Sequence, residues 1–345
     1  SLHFDLSSNK LVVEQAKVAK NGPVSKVGVF SFAGIEDSYF AAVFMPAEPE
    51  AFEIRTFSDP VSPGEGQAET AYLGAGVGGA ADNRFTAFVG PKDIDILRSV
   101  NPKLEQVVDF GWFSFIAKPL FLSVNWVNNR WVHNYGWSIV IVTIIINFLL
   151  LPLKFSSLKS MKKMQMLQPQ IAAINEKYKG ISLRDPRKAD QNQEIMDLYK
   201  KHGVNPMGGC MPMLLQIPFF IAFYKVLTVA IEMRGAEWLW VKDLSQPEHL
   251  PVRILPVAMI VTQFIMQKMT PATTADPAQR RMLLMMPLIL GFMFYGMSSG
   301  LVLYWLTGNV VGIAQQWFFN RGAQPAPVEP AAAKSKSKKS ARTRS

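Results

Sequence analysis

Cysteine is nearly absent from this chain of 345 residues: Cys210 stands alone, which excludes an intramolecular disulfide and any cysteine-built zinc site. Histidine is scarce, with only His3, His133, His202 and His249, and none lies at the centre of an apolar run. There is no HExxH motif and no Walker A loop, and no span offers a serine–histidine pair at its centre. Formal charge is missing from four stretches: Trp131–Leu153 (23 residues), His202–Tyr224 (23), Ile254–Gln267 (14) and Met282–Asn320 (39). No Asp, Glu or Arg interrupts them, so the proton or cation relay of an ion-coupled transporter is lacking. Enzyme chemistry is therefore not expected. The first 110 residues, in turn, hold no apolar run of that length.

What is present divides the chain. A bilayer core of about 30 Å needs about 20 helical residues, so three of the four stretches can span it. The last, at 39 residues, is about twice too long for one crossing and has to fold back. Gly296-Met297-Ser298-Ser299-Gly300 is the place, giving segments at about 282–297 and 301–319. Ile254–Gln267 is short enough to suit a buried core helix equally well, although Arg253 and Lys268 at its ends can snorkel and lengthen its reach.

Charge asymmetry decides the count. Lys154–Lys201 carries 11 Lys/Arg against 5 Asp/Glu, the tail after Asn320 carries 7 against 1, and Ile231–Leu250 carries 2 against 4. The positive-inside rule places the first two in the cytoplasm and the third outside. Five spans satisfy all three placements, with residues 1–130 outside. Such a topology expects an export or anchor segment ahead of Ser1.

Residues 1–109 read as an antiparallel β sandwich or part of one. Apolar, β-branched runs (Leu11–Val13, Val27–Phe32, Tyr39–Met45, Phe52–Phe57, Phe85–Val89) alternate with turn clusters at Asn21-Gly22-Pro23, Asp59-Pro60 and Gly74–Gly79. Pro91 is expected to open a short helix to about Ser99. The role expected here is structural or partner-binding, with peptide or glycan binding as the alternative. Residues 110–133, rich in Trp and Phe, suit an amphipathic helix lying in the headgroup layer, and Pro119 is expected to kink it or mark its start.

Within the five-span core at 134–320, residues 154–201 form a cytoplasmic helical hairpin. Met161, Met164, Leu167, Ile171, Ile174 and Tyr178 recur at steps of 3 or 4, a stripe suited to packing the two helices together or to docking apolar peptides. The tail 321–345 is Ala/Pro-rich and then Lys/Arg-rich, expected to be disordered and to suit ribosomal RNA or anionic headgroups.

Amides and hydroxyls recur inside the spans: Thr143 and Asn147 on one face of the first, Gln216 in the second, Thr262 and Gln263 in the third, and Thr307, Asn309, Gln315 and Gln316 in the fifth. In hydrocarbon each unpaired polar group costs several kcal/mol, so these face either a wet cavity or one another between helices.

Several motifs, in order, resemble the YidC-type membrane protein insertases: Pro152-Leu153, Met164–Pro169, Asn205–Cys210, Leu215–Phe220, Gln267–Pro271 and Ser299–Trp305. The N-terminal part is similar to the later portion of that family's periplasmic domain. The resemblance implies a multi-pass bacterial inner-membrane insertase and foldase without cofactor or metal, working as a monomer. Its implied partners are nascent membrane proteins, the ribosome through the basic tail and cytoplasmic loops, the Sec translocon and the phospholipid bilayer. It further implies a hydrophilic groove open to cytoplasm and lipid. Thr143, Asn147, Gln216, Gln263 and Asn309 are expected to line that groove, and Ile217, Phe220, Tyr304 and Trp305 the substrate slide. Asn147 stands where the family usually places an arginine, and Lys154, two turns on, is the candidate to replace that charge. A membrane chaperone or scaffold without insertion activity, or a lipid scramblase or channel, are the other classes.

Overall fold

Short β-branched and aromatic runs build the first quarter of the chain. The computed structural model describes residues 1–15, 19, 22–62, 70–79, 82–181, 185–205, 211–270 and 277–322. Seven strands form one antiparallel sheet: β1 (Leu2–Asp5), β2 (Lys10–Val13), β3 (Val24–Glu36), β4 (Phe40–Pro46), β5 (Ala51–Val61), β6 (Thr70–Gly78) and β7 (Phe85–Pro91). The order is β2-β1-β3-β4-β7, and β5 and β6 branch from β3. The length of β3 allows this. Its first half pairs with β5 (Val24 opposite Thr56), and its second half with β1 and β4 (Phe32 opposite Phe4, Glu36 opposite Ala41). Two apolar clusters result. Phe30, Ala33, Phe52 and Ile54 pack together, while Leu2, Phe4, Phe32 and Val43 join a larger core that continues into the helices.

Three local expectations are corrected. Asp59 and Pro60 lie inside β5, opposite Tyr72 and Ala71 of β6, rather than in a turn. Gly74–Gly78 lies inside β6 rather than in a turn. The Phe57 ring of β5 lies over Gly74, where a Cβ would overlap it, so glycine here serves cross-strand packing. Pro91 ends β7 instead of opening a helix. The helix α1 (Ile94–Val100) starts after Asp93, whose carboxylate accepts the backbone N–H groups of Asp95 (2.8 Å) and Ile96 (3.0 Å).

A 3-10 segment, Pro102–Val107, leads into α2 (Ser114–Val127), which carries Pro119 inside it, and a π-helical turn, Asn128–Val132, follows. Glu105 ties these together, its carboxylate meeting Arg98 at 2.8 Å and Lys118 at 2.6 Å. His133 takes a left-handed conformation (φ 50°) and the chain turns by 117° into α3 (Tyr135–Leu149). The helix α3 stops at Leu150, and α4 (Leu151–Lys177) restarts with Pro152 in its first turn. Proline cannot donate to the preceding turn, so the break falls there. The first long apolar stretch is therefore split between two helices.

The remaining helices are α5 (Arg187–Lys201), α6 (Met211–Val229), α7 (Ile254–Met269), α8 (Pro277–Tyr295) and α9 (Ser299–Gly322). The chain folds back between α8 and α9, where the glycines of 296–300 were expected to turn it. Against α5, α4 buries Met164, Leu167 and Ile171 around Tyr199 and Val204, so the apolar stripe serves packing of the hairpin. Among the described residues, no single helix is long and apolar enough to cross a bilayer. The pair Ser114–Val132 and Tyr135–Leu149 would suffice together, but is bent. Individual lengths explain this: α3 has 15 residues and α7 has 16. At 24 residues, α9 is long enough but carries Asn309, Gln315, Gln316 and Arg321.

Candidate functional site

The polar residues expected to line the groove separate into three groups. The first lies between α3 and α9. Thr143 and Asn147 are four residues apart on α3 and buried, at 0% and 8% exposure. The Asn147 amide donates to the Thr143 carbonyl (2.8 Å), a local bond that turns its Oδ1 outward. Lys154 of α4 donates to that Oδ1 (2.5 Å) and, at 3.4 Å, to Gln315 Oε1 of α9. Gln315 in turn donates to the Asn147 carbonyl (3.2 Å). Seven residues of straight helix would hold Lys154 about 10 Å from Asn147, and the long lysine stem covers that distance. The ammonium thus meets two amide oxygens, and no carboxylate of the described residues pairs with it. On the same face of α3 the Thr143 hydroxyl is buried without a hydrogen-bond partner among the described residues.

The second group staples α7 to α9. Trp305 donates to Gln263 (3.2 Å), Asn309 to Thr262 (3.2 Å), and Gln316 to the Met269 carbonyl (2.8 Å). Gln263 and Asn309 therefore do not join the Thr143–Asn147 group. Each is matched to a partner on the facing helix, as interhelical hydrogen bonding requires. The third group joins α6 to α9, where Gln216 donates to the Tyr304 hydroxyl (3.0 Å).

Of the residues expected on the slide, Phe220 and Trp305 meet in one aromatic cluster, and Tyr304 stands in a separate ring pair. Phe220 packs against Trp305 (5.5 Å between centroids, 86°) and against Phe294 of α8 (5.6 Å). Tyr304 stacks on Phe223 (4.1 Å, 18°). Ile217 stands apart, exposed on α6. Sequence reasoning missed Phe223 and Phe294, which carry no polar mark in uniformly apolar runs. The three-residue step from Phe220 to Phe223, one face of α6, was the available signal.

Beyond the aromatic cluster the segment 236–250 folds back over the ends of the helices. Ser299 and Gly300 donate backbone hydrogen bonds to the Gln246 (2.8 Å) and Leu244 (2.9 Å) carbonyls. The buried Glu248 carboxylate accepts the Trp240 indole N–H and, at 2.9 Å, the Leu255 N–H that opens α7. Trp238 covers Gly136 so closely that a Cβ there would overlap the indole. Leu244 and Met233 are fully buried, so this segment packs into the core shared with the helices. Cys210 and most of the motif Asn205–Cys210 lie outside the described residues, as does the tail after residue 322.

Two family models match in tandem, the YidC periplasmic domain over residues 5–123 and the 60Kd inner membrane protein over residues 126–326. The chain belongs to the YidC family. A protein of Geotalea daltonii named membrane protein insertase YidC is 40% identical over 317 residues, 92% of this chain and 58% of that protein. Relatives of the same name in Campylobacter jejuni and Pelobacter propionicus are 45% and 49% identical over 244 residues, 70% and 68% of this chain and 44% of each relative. The chain thus spans about half the length of the curated relatives it matches. A crystal structure described as an active YidC insertase with its first transmembrane domain resolved aligns with 91% of this chain and 82% of its own, at a TM-score of 0.48 and 22% identity.

Proposed function

We propose that this chain acts as a membrane protein insertase and foldase of the bacterial inner membrane, without covalent chemistry. The supporting observation is the α3–α9 cluster, a lysine ammonium of α4 held by two amides near a buried hydroxyl of the apolar α3. A nascent chain's polar stretch, met by Asn147, Lys154, Gln315 and the half-buried Gln216, keeps hydrogen-bond partners partway across. That lowers its desolvation barrier. Lys154 supplies the positive charge that Asn147 lacks, favouring acidic substrate segments. The apolar stretch leaves past Ile217 and the Phe220–Trp305 cluster into lipid.

In this reading α3, α6, α7, α8 and α9 are five spans. Residues 1–109 and the segment 231–250 lie on the periplasmic side, and the hairpin 154–201 and the tail on the cytoplasmic side. Residues 110–133 lie at the outer interface. Nascent membrane proteins are the substrates, with the ribosome and the Sec translocon as partners, and a single copy suffices. In liposomes without ATP, the protein is expected to integrate a double-spanning substrate with an acidic connecting segment. Lys154→Ala is expected to slow it by about tenfold, the loss of one charge-assisted contact, and Asn147→Arg to restore it. Chaperone action without insertion contradicts the reading, as does lipid flipping without insertion. An unaltered Lys154→Ala rate removes the role given to that lysine.

A further inference from the structure

The 117° turn between α2 and α3 leaves an elbow that none of the three polar groups uses. A cleft of about 800 Å³ opens there, with Leu122, Trp126, Val142, Ile145, Leu149 and Phe219 among its walls. The one hydroxyl on the walls, Ser123, already donates to the Pro119 carbonyl (2.7 Å). An extended peptide would bring backbone N–H and C=O groups that nothing here can satisfy. A four-turn helix satisfies its own backbone but occupies about 1,600 Å³, twice the space. An acyl chain needs no partner and fits. Leu149 is 74% exposed, so the cleft is open along α3.

The rim carries the second mark. Trp112 just before α2, and Phe115, Trp126 and Trp131 along α2 and its π-helical turn, are exposed, as side chains at headgroup depth are. Arg130 is exposed one turn beyond the cleft-lining Trp126 and Val127, and it makes no ion pair among the described residues. Lys118, at the other end of α2, is held by Glu105. One free guanidinium therefore stands at one end of a chain-sized apolar cleft, and a phosphate is its natural bidentate partner.

We infer that the elbow is a binding site for one anionic phospholipid, an acyl chain in the cleft between α2, α3 and α6 and the phosphate on Arg130. The inference rests on the membrane placement proposed above. The test is native mass spectrometry of the full chain in detergent, supplied with palmitoyl-oleoyl phosphatidylglycerol or phosphatidylcholine, with insertion measured in parallel. One phosphatidylglycerol per chain is expected to stay bound. Ile145→Trp and Leu122→Trp, two independent ways to fill the cleft, are expected to remove it, and Val261→Trp on exposed α7 surface to leave it. Arg130→Gln is expected to lower the preference for phosphatidylglycerol by about tenfold. No retained lipid, or equal retention by both cleft-filling variants that melt like the wild type, overturns the site. Equal retention of phosphatidylcholine overturns the role of Arg130. Lipid lost with insertion intact separates this site from the insertase function, and lipid retained without insertion counts against the function alone.

Discussion

Replacing Glu232 by glutamine is expected to remove a pH dependence of stability that arises where the β domain meets the helices. Glu232 lies in the 3-10 turn Ile231–Met233 that follows α6, and its Oε2 is buried without a partner among the described residues. Burial pushes its carboxyl up to about 7 from the ordinary 4.5, and the Asp93 and Asp95 carboxylates at the start of α1 add to the rise. The folded protein then keeps a proton that the unfolded chain releases. This contribution is complete below pH 4.5, is lost as pH rises towards 7, and changes little above. At about 1.4 kcal/mol per pH unit, the interval amounts to about 3 kcal/mol, or roughly 6–12 °C in Tm for a chain of this size. Tryptophan-fluorescence melts of detergent-solubilised wild type and Glu232→Gln at pH 4.5, 6 and 7.5 measure it. The wild type is expected to lose stability relative to the variant as pH rises. Parallel melts across the range would refute the reasoning.

Two further substitutions address the packing. Gly136→Ala forces a methyl into the Trp238 indole and is expected to cost about 1–3 kcal/mol, read as a lower Tm. Glu36→Ala leaves the buried Lys92 ammonium, now 2.7 Å from that carboxylate, with only the Asp37 carbonyl at 3.1 Å. A loss of about 3 kcal/mol is expected in denaturant melts, and Glu36→Leu with Lys92→Met is expected to recover most of it.

Apolar runs and turn residues located most of the elements, because periodicity and chain reversal are local properties. They placed the strands β2 to β5 and β7, the hairpin α4–α5 and the reversal before α9. They failed where a long-range partner decides: Gly74 reads as turn-forming alone and becomes a strand residue only under Phe57. The break at Leu150 was marked by Pro152, yet an uninterrupted lack of charge concealed it. At the site, the four-residue spacing of Thr143 and Asn147 gave their shared face, and the reach of Lys154 to Asn147 followed from its position two turns on. Which partner each amide takes is set by helix packing. Gln263 and Asn309 look equivalent to Asn147 along the chain, but α9 turns them into the α7 seam.

The account depends most on the α3–α9 cluster meeting water from the side of α4. Single cysteines at 147, 216 and 315, with Cys210 replaced, can be probed in inverted and right-side-out vesicles with a membrane-impermeant maleimide. Labelling at 147 and 216 from the α4 side, and none from the side of residues 231–250, is the result expected. Cysteines that stay unreactive from both sides, while one on the exposed surface of α4 reacts, would contradict it.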